Sequence, residues 1–122
     1  MHTILVVDDD DSIRDLLEII LGRLYHVITA DGVGAATAAL DTYENIDLIL
    51  TDYHMDDGVG TDLCGQEVPV FLMSAGFDPD LAKDLLQSGD IAGFIPKPFD
   101  KFHLFIGIED ILSPRNNPYD FF

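Results

Sequence analysis

The sequence predicts an α/β fold built on an open parallel sheet, and two observations carry that prediction. Short, unbroken apolar runs alternate five times with stretches of helical apolar spacing, the pattern of strands buried on both faces and joined by right-handed helical crossovers. The runs also stop at chemically reactive groups. Asp8 and Asp9 follow Ile4–Val7, Asp52 closes the stretch Asp47–Asp52, Ser74 follows Val70–Met73 and Lys97 follows Ile91–Ile95. In open α/β sheets, function gathers at the carboxyl ends of the strands.

The elements follow in order. Ile4–Val7 is the first strand, and the acids Asp8–Asp11 end it. Ser12 with Asp15 reads as a capping box, and Ile13, Leu16, Leu17, Ile20, Leu21 and Leu24 recur at helical spacing, giving a helix over Ser12–Leu24. His26–Ala30 is a second strand, and Asp31-Gly32 a turn. A second helix runs from Val33 to about Glu44-Asn45, and Leu48–Thr51 is the third strand. From Asp52 to Glu67, glycines 58, 60 and 65 leave room for no more than a helical turn near Thr61–Cys64. Val68–Met73 is the fourth strand, with Pro69 at its tolerant start. Asp78-Pro79 opens a helix that Ser88-Gly89 closes. Ile91–Ile95 is the fifth strand, Pro96-Lys97-Pro98 a stiff loop and Asp100–Leu112 a last, strongly apolar helix. Residues 1–113 read as one domain, and 114–122, with Pro114 and Pro118, as a C-terminal tail.

Composition narrows the function. At 122 residues and 48% hydrophobic, the chain suffices for one domain with a sizeable core. Its formal net charge of −17 repels phosphate backbones and anionic lipid, so neither nucleic acid nor membrane is an expected partner. Cys64 is the single cysteine, and no apolar run has the length of a signal or spanning segment, which suits a reducing cytoplasm.

Three carboxylates held together stay ionised only beside a cation. An all-oxygen set suits a hard divalent ion, Mg2+ above all, since it takes one or two carboxylates and keeps waters for a phosphate. Lys97 adds a mobile positive charge and Ser74 a hydroxyl donor. Nucleophile, metal and donors for equatorial oxygens are the parts of phosphoryl transfer, and a carboxylate can be the nucleophile.

Four segments, Val6-Val7-Asp8-Asp9, Asp47–Asp52 with Met55 and Gly60, Phe71–Ala75, and Gly93–Phe99, resemble the receiver domain of two-component response regulators, over about Thr3–Leu112. The resemblance implies a flavodoxin-like, doubly wound, five-stranded parallel sheet of order 2-1-3-4-5. It implies that Asp52 accepts the phosphoryl group, that Asp9 binds Mg2+ directly and Asp8 through water, and that the backbone carbonyl of His54 completes the metal site. Ser74 corresponds to the switch hydroxyl, Ala75 to the small residue beside it, Lys97 to the lysine on the phosphate, Phe94 to the switch aromatic and Pro98 to a proline commonly preceded by a cis bond. The implied partners are a histidine kinase or phosphotransfer protein and an output protein bound on the face of the fourth helix, fifth strand and fifth helix.

Two departures stand out. Asp56 replaces the proline usual after Met55, and the interval from Asp52 to Ser74 is about two helical turns short. The family's third helix is therefore expected to be shortened or missing. The sheet would then lose cover on one face, unless another chain supplies it or the later elements shift.

The expected function is a phosphorylation-dependent signalling switch of a phosphorelay, not an enzyme on external substrates, acting through protein binding. The alternatives are a receiver-fold interaction module that is never phosphorylated and, for Asp8 with Asp10, a small aspartyl-phosphate phosphatase. Asp10 and Asp11 read as helix-capping charges, Cys64 as an inert thiol, and Phe102 and Ile106 either as core or as a partner or homodimer face.

Overall fold

A computed structural model describes residues 1–76 and 78–113; the tail expected at 114–122 lies outside them. Five parallel strands form the sheet: β1 (Thr3–Val7), β2 (His26–Ala30), β3 (Leu48–Asp52), β6 (Val70–Ser74) and β7 (Gly93–Pro96). Their order is β2-β1-β3-β6-β7, which is 2-1-3-4-5 counted over the parallel strands. Between β3 and β6 the chain makes a small antiparallel hairpin, β4 (His54–Met55) with β5 (Gly58–Val59), and a 3-10 turn over Gly60–Leu63. Among the described residues there are four α-helices, α1 (Asp11–Leu21), α2 (Val33–Thr42), α3 (Pro79–Ser88) and α4 (Lys101–Leu112). The helix expected to be short or missing is replaced by the hairpin and turn.

Successive strand residues point to opposite faces, and the two faces have separate cores. Ile4, Val6, Leu48 and Leu50 face α1 and α4, meeting Leu17, Leu21, Leu104 and Ile108. Leu5, Val7, Ile49 and Leu72 face the other way, toward Ala36 of α2. Met55 and Leu63 of the replaced segment complete this second layer, and Leu63 is only 1% exposed. The expected loss of cover on one face does not occur. Met55 of the hairpin and Leu63 of the 3-10 turn bury apolar strand surface that a helix would otherwise cover, a gain of about 25 cal/mol per Å2.

Several boundaries differ from expectation for local reasons. Helix α1 is capped by Asp10, whose carboxylate accepts the Ser12 and Ile13 N–H groups at 2.8 and 3.4 Å, so the Ser12–Asp15 capping box does not form. The helix stops at Leu21 rather than Leu24: the Leu24 and Tyr25 N–H groups both return to the Leu21 carbonyl, and Leu24 is exposed. Helix α2 ends at Thr42, β6 begins at Val70 and β7 at Gly93. On α4, Leu104 and Ile108 are core while Phe102 and Ile106 are at the surface, so neither of those two is a core residue. Tyr25, buried in the turn between α1 and β2, donates its hydroxyl to Glu109 of α4. Burial and that carboxylate both push the phenol above its ordinary value.

Candidate functional site

The parallel sheet delivers the ends of β1, β3, β6 and β7 to one edge. Register brings them level: Asp52 lies opposite Met73, Ser74 opposite Pro96, and the Lys97 N–H donates to the Ser74 carbonyl at 2.8 Å. Asp8, one residue past β1, is 1% exposed. Its N–H donates to the Ala30 carbonyl at 3.2 Å, and its Oδ1 accepts the Asp10 N–H at 2.9 Å. Asp52 closes β3, and its Oδ1 accepts the Tyr53 N–H at 2.9 Å.

Asp8, Asp9 and Asp52 each present a carboxylate oxygen within 4.8 Å of the other two. Asp8 is buried, Asp52 half-buried and Asp9 exposed, so the cluster is open on one side. Lys97 Nζ bridges it, 2.9 Å from Asp8 Oδ2 and 3.5 Å from Asp52 Oδ1. Burial pushes the Asp52 carboxyl up, against the pull of Lys97; Asp8 adds to the rise and the Tyr53 N–H opposes it. For Lys97, burial favours the neutral amine, but the hydrogen bond and charge of Asp8, with Asp52 behind them, win and hold it above its ordinary value. Three hard oxygen donors on a half-open rim suit a divalent cation that keeps some of its waters.

The remaining residues singled out in the sequence lie around this cluster. Ser74 is 1% exposed, and its hydroxyl donates to the neighbouring Ala75 carbonyl at 3.2 Å. The Lys97-Pro98 peptide is cis. Phe94, on β7, packs against the second core layer. His54 opens the hairpin, its exposed ring edge-on to Tyr53 with centroids 4.7 Å apart.

The loop beyond Asp52 holds a residue that sequence reasoning missed. Asp57, at the hairpin tip, accepts the Val33 and Gly34 N–H groups at 2.8 and 2.9 Å. It thereby caps α2, whose own N-cap residue, Gly32, has no side chain to do so. These bonds hold the Asp57 carboxyl below its ordinary value. One signal pointed here: a helix start at Gly32 with no capping side chain of its own.

The family model for the response regulator receiver domain matches residues 4–109. The chain belongs to that family. Among curated relatives, the receiver domain is 38% identical to the response regulator protein PilR of Pseudomonas aeruginosa over 92% of its own length and 26% of PilR. It is 34% identical to the putative two-component response regulator ARR21 of Arabidopsis thaliana, over 93% of this chain and 19% of that protein. The chain thus spans about a quarter or less of these relatives. Among solved structures, chemotaxis protein CheY4 of Vibrio cholerae superposes with a TM-score of 0.81 at 25% identity, covering 92% of this receiver domain and 99% of that chain. A receiver domain protein of Clostridium thermocellum shares the fold, with a TM-score of 0.85 at 22% identity over 94% of this chain and 97% of that one. Receiver domains are regulatory domains of two-component signalling. No helix among the described residues is long and apolar enough to cross a membrane.

Proposed function

We propose that this receiver domain is a phosphorylation switch in which Asp52 accepts a phosphoryl group from a histidine kinase or phosphotransfer protein. The observation that carries the reading is the meeting of Asp8, Asp9 and Asp52 within 4.8 Å, with Lys97 against two of them. A carboxylate oxygen of Asp52 attacks phosphorus, a P–O bond forms, the donor's P–N bond breaks, and the leaving imidazole nitrogen takes up a proton. Asp8, Asp9 and Asp52, with the His54 backbone carbonyl, would hold Mg2+. Bound there, Mg2+ supplies positive charge that offsets the crowded carboxylates and the phosphoryl oxygens.

The chain's own groups do the rest. Lys97, released from Asp8, turns to the phosphoryl oxygens. Ser74, whose hydroxyl has only a neighbouring carbonyl to leave, rotates to donate to them, beside the small Ala75. These shifts bias Phe94 and the face formed by α3, β7 and α4, on which Phe94, Pro98, Phe99 and His103 line a cleft of about 460 Å3. Output is by protein binding on that face, in a cytoplasmic setting, and exposed Phe102 and Ile106 offer apolar surface for a homodimer.

The test is labelling of the wild type and Asp52→Asn with a small phosphoryl donor. A Mg2+-dependent mass gain in the wild type alone supports the switch, and no gain in the wild type overturns it in favour of an unphosphorylated interaction module. That second reading is favoured only by the replaced third helix. The phosphatase reading loses support because Asp10 is engaged in capping α1.

A further inference from the structure

We infer that Asp57 is a positioning residue for the phospho-accepting site: it ties the loop that follows Asp52 to helix α2. This rests on the assignment of Asp52 and its acidic neighbours as the Mg2+-dependent acceptor site. The contacts form a closed ring around the acids. Asp52 Oδ1 accepts the Tyr53 N–H at 2.9 Å, and the Tyr53 carbonyl accepts the Gly60 N–H at 2.7 Å, which folds the hairpin back onto the end of β3. His54 pairs with Val59 and Met55 with Gly58, leaving Asp56 and Asp57 as the two-residue tip. Asp57 then grips the Val33 and Gly34 N–H groups of α2. Through Gly32, Asp31 and Ala30 the ring returns to the site, because the Ala30 carbonyl accepts the Asp8 N–H at 3.2 Å. Lys97 closes it between Asp8 and Asp52.

The glycines at this junction are fitted to the grip. A Cβ on Gly32 would stand 2.6 Å from Asp57 Oδ1. One on Gly58 would stand 2.7 Å from Asp62 Oδ2, the oxygen that accepts the Val59 N–H at 3.0 Å and anchors the hairpin's other end. Asp57 touches none of the three acids, so its effect passes through the backbone from Tyr53 to Gly60, including the His54 carbonyl. Outer groups that orient a metal site commonly cost its affinity about ten-fold or more when removed.

Two variants separate positioning from simple helix capping. Asp57→Ala removes both the cap and the tie. Gly32→Ser combined with Asp57→Ala restores a cap from within α2, into space that the Asp57 carboxylate has left, but not the tie. Asp57→Ala is expected to weaken Mg2+ binding roughly ten-fold, to slow labelling of Asp52 and to speed amide exchange at Tyr53 and Gly60. The double variant is expected to regain the wild-type Tm while keeping the weakened Mg2+ binding. Asp57→Asn, which keeps one acceptor oxygen, should fold even if Asp57→Ala does not, and should show a smaller loss of the same kind. Unchanged Mg2+ binding in Asp57→Ala or Asp57→Asn, or its recovery together with Tm in the double variant, overturns the inference while leaving Asp52 as acceptor. No Mg2+ binding and no labelling in the wild type overturns both.

Discussion

Lys97 and Asp8 form a partly buried ion pair: Nζ stands 2.9 Å from Oδ2, with side-chain exposures of 19% and 1%. The lysine sits where β7 ends and the aspartate where β1 ends, and the two are 89 residues apart in the chain. Without a metal ion, Lys97 is the cation that makes the buried Asp8 carboxylate tolerable.

Replacing Lys97 with Met therefore leaves the buried Asp8 carboxylate without its ion-pair partner. A loss of about 1–3 kcal/mol is expected without divalent ions. Added Mg2+ should recover much of it, so the Mg2+-induced rise in Tm should be larger in Lys97→Met than in the wild type. Thermal denaturation with and without Mg2+ checks this.

Asp52 supplies a pH signature. Its folded carboxyl is pushed up, by burial first, so the native state binds its proton more readily than the unfolded state does. The associated stability is fully present below the unfolded value near 3.8 and is lost as pH rises through the folded value. Asp52→Asn has no such carboxyl. In Mg2+-free buffer its Tm should exceed that of the wild type near neutral pH, and the gap should shrink as pH falls toward 4. Paired Tm–pH curves measure the difference.

Leu63 should behave as a core residue although it lies in a 3-10 turn between short strands. It is 1% exposed beneath the sheet face that holds Leu5, Ile49 and Leu72. Leu63→Ala is expected to cost about 2–5 kcal/mol. A cost below 1 kcal/mol in urea unfolding would mean that the hairpin and turn do not carry this layer.

Gly60 sits where the hairpin meets the acceptor strand. A Cβ there would collide with the Asp52 carbonyl oxygen and come within 2.9 Å of Leu72 Cδ1. Gly60→Ala should cost about 1–3 kcal/mol from overpacking. Because the collision falls on the Asp52 backbone, it should also slow labelling more than Leu63→Ala does. Labelling rates of the two variants, taken well below their Tm, provide the comparison.

Much of the architecture was legible because its causes are local. The apolar run Leu48–Leu50 is buried on both faces because alternate side chains meet different helices, and no tertiary detail is needed to read it as a central strand. Asp8, Asp9, Asp52, Ser74 and Lys97 were legible as strand-end residues for the same reason. Helix ends were less so. Leu24 keeps the helical spacing of Ile13 and Leu17, but the chain leaves α1 at Leu21 to reach β2, and Leu24 ends up exposed. The Ser12–Asp15 box was displaced by Asp10, which takes the Ser12 N–H, and the Ile13 N–H beside it, from two residues before Ser12.

The sequence by itself determined that five strands of one parallel sheet bring one lysine, one serine and several aspartates to the same edge. Periodicity and turn residues act over a few positions, and the handedness of the crossovers is general. Only the tertiary structure decided how the face without its third helix is covered, which acid Lys97 prefers, and that Asp57 caps a helix beginning 24 residues before it. Those outcomes depend on where a returning segment comes to rest. That is set by the apolar surface to be buried and the N–H groups to be satisfied across the fold, and no local pattern encodes it.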